Sequence, residues 1–119
     1  MSDRQLTQDH LDLKTVLAMK EIFSSKDRWI RGHTAANING RIVEYNSFNA
    51  YKFCFMGALA HVIGKKPVVA VLTPDTTRIF GYSCSHLVTL NDGKGYTAIM
   101  AVLDDAEVRL NNLIASPKC

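Results

Sequence analysis

The stretch from Asn46 to Gly64, NSFNAYKFCFMGALAHVIG, is the one whose reading decides the fold. Phe48, Tyr51, Phe55, Leu59 and Val62 recur at steps of three and four, which sets them on one side of a helix and predicts a buried helix over the whole stretch. Ala50, Cys54, Gly57 and His61 recur at the same steps on another side, as a strip of small residues along which a second backbone could approach closely. Asn46 or Ser47 is placed to cap the helix, and Gly64 to end it in the left-handed conformation that glycine tolerates. On this reading Cys54 lies about two turns inside the helix, and His61 lies ~10.5 Å further along its axis, too far for thiolate and imidazole to touch.

Upstream, Thr7 is placed to cap a first helix over about residues 8–24, with Asp9 and Asp12 in its opening turns and an apolar stripe of Leu13, Val16, Leu17, Met19, Ile22 and Phe23. Met1 to Gln5 are polar and expected to fray, with residues 1–6 outside the globular part. Trp29, the only tryptophan, follows a Ser-Ser-Lys-Asp turn and reads as a core anchor. Ala35, Ala36 and Ile38 suggest a short helix between Gly32 and Gly40, and 41–45 a short extended piece.

Downstream, 67–72 is ambiguous between strand and helix and is read as a short helix opened by Pro67. A separate helix is expected over 74–81, capped by Thr73, then loop or extended chain over 82–90. The last helix, about 98–114 with Thr97 as cap, has the cleanest stripe: Ile99, Val102, Leu103, Ala106, Leu110, Leu113 and Ile114. The sum is a mainly α single domain over residues 1–119, a compact helical bundle with a small extended pair drawn from 41–45 and 82–90.

At 119 residues, 47% hydrophobic and 21% charged, the chain has the length and composition of one globular domain and not of a disordered one. Its longest apolar runs fall far short of the roughly 20 residues of a membrane span. The N-terminus lacks the apolar core of a secretory signal, which predicts a cytoplasmic protein with reduced thiols at Cys54, Cys84 and Cys119. No cofactor and no metal are expected, since no C-x-x-C pair is present and Cys84-x-His86 has no second spaced pair to complete a tetrahedron. Net charge is +3, yet 26–66 alone carries seven basic residues against Asp27 and Glu44. Arg28, Arg31, Arg41, Lys65 and Lys66 are therefore the candidate basic patch for an anionic partner, nucleic acid included, although a solvated surface is the simpler reading.

Three local patterns stand in fixed order: Trp29-x-x-Gly32 with Ala36 and Gly40 following, Cys54-x-x-Gly57-Ala58-Leu59, and Asn91-Asp92-x-x-Gly95-x-Thr97 opening a long amphipathic helix. Together, over roughly residues 29–113, they resemble a family of small uncharacterised proteins of bacteria and their phages. The resemblance implies a compact, mainly helical domain and a phage or mobile-element origin, and it brings no activity with it.

The Asn91-Asp92-Gly93-Lys94-Gly95 loop reads structurally as side-chain turns with positive φ at both glycines. Its functional alternative is an anion cradle of backbone N–H groups with Lys94 adding charge. Trp29, Asn91, Asp92, Lys94 and Thr97 are the candidate ligand residues. The reading of function is a non-catalytic binding protein, a phage accessory or anti-defence factor that docks on a host protein or sequesters a small anionic ligand, with no membrane contact and with homodimerisation open. Two alternatives remain: nucleic-acid binding through the basic segment, and a thiol hydrolase or transferase using Cys54 or Cys84 with His33 or His86 as base.

Overall fold

The computed structural model describes residues 3–115, with side chains from residue 7 onward. Cys119 and residues 1 and 2 lie outside the described residues, whereas residues 3–6, expected to fray, form the first turn of α1. Five helices follow in chain order: α1 (Asp3–Ile22), α2 (Phe55–Ile63), α3 (Val69–Phe80), α4 (Cys84–Thr89) and α5 (Tyr96–Ala115). Between α1 and α2, β1 (Ala35–Ala36) and β2 (Lys52–Phe53) form a two-stranded antiparallel sheet with Ala35 opposite Phe53. Among the described residues no helix is long and apolar enough to cross a membrane.

The two long helices pair along their length because each has one apolar face. Val16, Met19, Ile22 and Phe23 from α1 and its end meet Ile99, Val102, Leu103, Ala106 and Leu110 from α5, all buried. Lys20 on α1 reaches Asp104 at 2.7 Å and Glu107 at 2.5 Å on α5, while the Tyr96 hydroxyl donates to the Phe23 carbonyl. Helix α2 packs on α1 and α4, burying every residue from Phe55 to Ala60.

The central helix is half the predicted length. Residues 46–50 are turns, 52–53 are strand, and the helix begins only at Phe55. The Ser47 hydroxyl bonds to the Asn49 side chain, the local competition by which Ser and Asn oppose helix. Phe53 enters the core as a strand residue, whereas Phe48, assigned to the core by its spacing, is fully exposed. Of the expected strip only Gly57 is buried within α2 against a second backbone, a Cβ there lying 1.8 Å from the Thr34 carbonyl oxygen; Ala50 and Cys54 precede α2 and His61 is exposed.

Other elements also depart from expectation. Ala35 and Ala36 are strand, not helix, because they pair with β2 and Ile42 bridges to Ala36. Residues 82–90 supply no strand, since the Ser83 hydroxyl caps α4 by accepting from the His86 N–H. The helices expected at 67–72 and 74–81 are one helix, α3. Pro74 is accommodated in it because Leu72, Asp75, Thr76 and Ile79 continue one buried face, and the carbonyl it frees, that of Ala70, belongs to an exposed residue. Helix α1 starts at Asp3, so Thr7 is not its cap, and Asp9 and Asp12 are buried within it. Thr97 lies inside α5, whose Ile99 N–H already bonds to the Gly95 carbonyl.

The buried Asp12 is held by Arg78 of α3 through Nε and Nη2, each at 3.0 Å, and the same guanidinium reaches Asp75 at 3.1 Å. Lys65 binds the other Asp75 oxygen at 2.9 Å. Burial raises the Asp75 pKa, but the hydrogen bonds from Lys65 and Arg78 outweigh it and hold the carboxyl below its usual range. A depressed carboxyl contributes stability above its unfolded pKa of about 4, and that contribution is lost as pH falls through the folded value. Arg78→Met leaves two buried carboxylates facing each other and is expected to cost about 2 kcal/mol at pH 7. Urea melts at pH 7 and pH 3 should show the deficit shrinking in acid; a deficit equal at both would mean the cluster contributes packing alone.

Candidate functional site

Asn91 is the hub of the molecule's one polar convergence that the sequence motifs flagged. Its side chain is 1% exposed and makes four hydrogen bonds. Oδ1 accepts from Trp29 Nε1 at 2.7 Å and from the Phe55 N–H at 3.0 Å; Nδ2 donates to the Ile30 carbonyl at 3.2 Å and to Asp92 Oδ1 at 2.9 Å. Asp92 Oδ1 also accepts from the Gly32 N–H at 3.1 Å. One amide thus joins the Trp29–Gly32 segment, the start of α2 and the loop before α5.

Two backbone irregularities make this possible. Residues 90–94 form a π turn, closed by the Gly95 N–H on the Leu90 carbonyl at 3.0 Å, and the extra residue in the turn directs Asn91 inward. Gly95 follows at φ 94 and ψ −162, a region essentially restricted to glycine, with Arg31 Nη2 3.2 Å from where a Cβ would stand. Positive φ at Gly93, expected from the sequence, does not occur; the turn supplies the bend instead.

Cys54 is the N-cap of α2 and does not lie two turns within a helix. Its Sγ accepts from the Gly57 N–H at 3.3 Å, so the Cys-x-x-Gly spacing is that of a cap and the third helical N–H. Burial pushes the thiol pKa up; the N–H groups of Gly57 and Met56 oppose this and the charge of Asp92 adds to it.

Cys54 faces a cavity of about 160 Å³. Its deep end is formed by the buried Cys54, Met56, Cys84 and Asn91, and its outer walls by the more exposed His33, Val69 and Val88. Asp92, Pro67, Gly32 and Thr34 complete it, and no Lys or Arg is among the lining residues. Met56, Val69 and Val88 carry no site signal in the sequence, because nothing in a local pattern shows that α2, α3 and α4 share a cavity.

Of the residues singled out, Asn91, Asp92, Cys54, Cys84 and His33 come together at the cavity, and Trp29 braces it from behind through Asn91. Lys94 and Thr97 are exposed and do not line it. His86 stacks on Tyr82 at 4.7 Å, on the exposed face of α4. The five basic residues are not gathered into one patch. Arg31 lies over Trp29 and Arg28 over Tyr51, before α2, whereas Lys65 turns to Asp75 beyond its far end, about 13 Å away. Among the described residues no three His, Cys, Asp or Glu side chains are grouped to hold a metal ion.

Fold and site define a small, mainly helical protein with a partly open, largely apolar cavity. Against known families, curated proteins and solved structures alike, the chain finds no match.

Proposed function

We propose that this is a non-catalytic binding protein that takes a small molecule in the cavity between the Gly32–Thr34 segment, α2 and α4. The observation that carries the reading is the cavity itself: an apolar concavity with a few placed polar groups is the usual form of a ligand site. Its volume is close to the ~150 Å³ of apolar cavities that accept benzene. Met56, Val69 and Val88 suit an apolar body, and the Asp92 carboxylate suits a donor or a positive charge. A neutral or cationic ligand therefore fits better than the anionic one expected from the loop sequence.

Benzylamine and benzoate, alike in size and opposite in charge, test this directly. Benzylamine at tenfold its Kd should raise Tm by a few degrees, since linkage supplies about 1.4 kcal/mol there, and benzoate should not. Val88→Trp, at a half-exposed position, should abolish the shift by filling the cavity, and Asp92→Asn should remove the preference for the amine. Equal shifts with Val88→Trp and the unsubstituted chain would refute the cavity as the site.

A thiol enzyme is the second reading, favoured by one observation: Cys54 at a helix N-terminus shares the cavity with His33. A raised thiol pKa opposes it, because the thiolate is the nucleophile. Iodoacetamide should label Cys54 slowly at pH 7 and faster only above about pH 9. Rapid labelling below pH 7 would reverse the order of the two readings.

A further inference from the structure

Phe48 is 101% exposed, the one large ring among the described residues that the fold leaves wholly in water. It lines a shallow groove of about 370 Å³ with Ile38, Tyr51, Asn37, Asn39 and Asn49. The groove shares no residue with the cavity beside Cys54.

One guanidinium lies at its edge, and two further basic residues stand in the chain beside it. The Arg28 guanidinium lies 4.7 Å from the centre of the Tyr51 ring, with Nε donating to the Tyr51 carbonyl at 3.0 Å. Arg41 is bonded directly to Asn37: its N–H donates to Asn37 Oδ1 at 3.0 Å and its carbonyl accepts from the Asn37 N–H at 2.8 Å. Lys52 follows Tyr51 and pairs with Ala36, the residue before Asn37. The acid at this edge is Asp27, whose carboxylate accepts from the Tyr51 and Ser25 hydroxyls and is also attracted by the Lys52 charge, so Arg28 and Arg41 are the cations left to a ligand. Asn37 and Asn49 already use their side-chain oxygens within the loop, so what they offer a ligand is amide N–H.

We propose that this groove binds single-stranded nucleic acid, with a base stacked on Phe48, the asparagine amides donating to base carbonyls, and Arg28 and Arg41 meeting phosphates. An exposed ring among cations and amides is the recurring form of such sites, because every unpaired base has a π face and every linkage a charge. Duplex nucleic acid hides those faces and offers Phe48 nothing to stack on. An apolar peptide would cover Phe48 and Ile38 but leave the amides and the two arginines unused.

The test is fluorescence anisotropy of the full chain with a labelled fifteen-residue oligothymidylate. Two neutralised phosphates predict a log–log salt slope of about −1.4, so affinity should fall roughly 7-fold between about 50 and 200 mM salt. Phe48→Ala should weaken binding by roughly 10-fold or more at unchanged Tm, since the ring supports nothing in the core, and Phe48→Trp should retain it. Arg41→Gln should make the slope shallower by about 0.7. Absence of binding at about 50 mM salt, equal affinity for duplex, or indifference to Phe48→Ala would overturn the proposal. Phe48-dependent binding of polyglutamate as tight as that of the oligonucleotide would overturn it in favour of an acidic protein partner.

Discussion

Gly57→Ala is expected to lower Tm by roughly 10 °C, corresponding to a loss of about 3 kcal/mol. Helix preference alone predicts the opposite sign, because alanine is favoured over glycine by ~1 kcal/mol within a helix. Close approach decides the outcome. The new Cβ would lie 1.8 Å from the Thr34 carbonyl oxygen, 2.7 Å from its carbon and 3.1 Å from its Cα, all of them backbone atoms. Neither partner has room to withdraw. Thr34 is flanked by Ala35, paired with Phe53, and by the Gly32 N–H bonded to Asp92; its own carbonyl accepts from the Cys54 N–H at 3.4 Å. Helix α2 is buried through its first six residues. Because Thr34 also lines the cavity, benzylamine binding should be lost together with stability. Gly64, at φ 74 with nothing within 4 Å of a Cβ, provides the contrast, with alanine there costing only about 1 kcal/mol of backbone strain. Thermal melts of the two variants separate the effects, and a Gly57→Ala protein as stable as its parent would show that the Thr34 segment yields.

That contact also shows how far the sequence could be read. Gly57 stands out as a point of close approach because helical spacing is a local property, and the stripe of α5 is legible for the same reason. Phe48, Tyr51 and Phe55 satisfied helical spacing by coincidence. Asn46, Ser47 and Asn49 carried the contrary turn signal, and pairing with β1, which is remote in sequence, selected the strand at 52–53. Cys54 carries no cap signal in the sequence, because Ser, Thr, Asp and Asn are the preferred N-caps. The site divides along the same line. Trp29, Asn91 and Asp92 were singled out by motif, yet the joining of three segments by one amide is a tertiary fact with no local signature. The π turn that directs Asn91 inward has none either.

Asn91→Asp tests that amide with almost no change of shape, and it is expected to cost about 3 kcal/mol at neutral pH. One carboxylate oxygen can still accept from Trp29 Nε1 and the Phe55 N–H, as Oδ1 does now. The other replaces a donor, and it faces the Ile30 carbonyl at 3.2 Å and Asp92 Oδ1 at 2.9 Å, two oxygens with no proton between them. Burial and the neighbouring Asp92 charge both disfavour ionisation of the new carboxyl, so its folded pKa is raised above the unfolded value of about 4. Its sign is therefore opposite to that of Asp75. The variant keeps its stability below about pH 4, where the protonated acid can donate in place of Nδ2, and loses it as pH rises through the folded pKa. Urea melts at pH 4.5 and 7.5 should show the deficit against the parent chain widening with pH. Binding of benzylamine should weaken in parallel, since Asp92 is no longer held by its neighbour. A deficit independent of pH would mean that the loop rearranges around the substitution, and that the donor half of the Asn91 amide does not hold the three segments together.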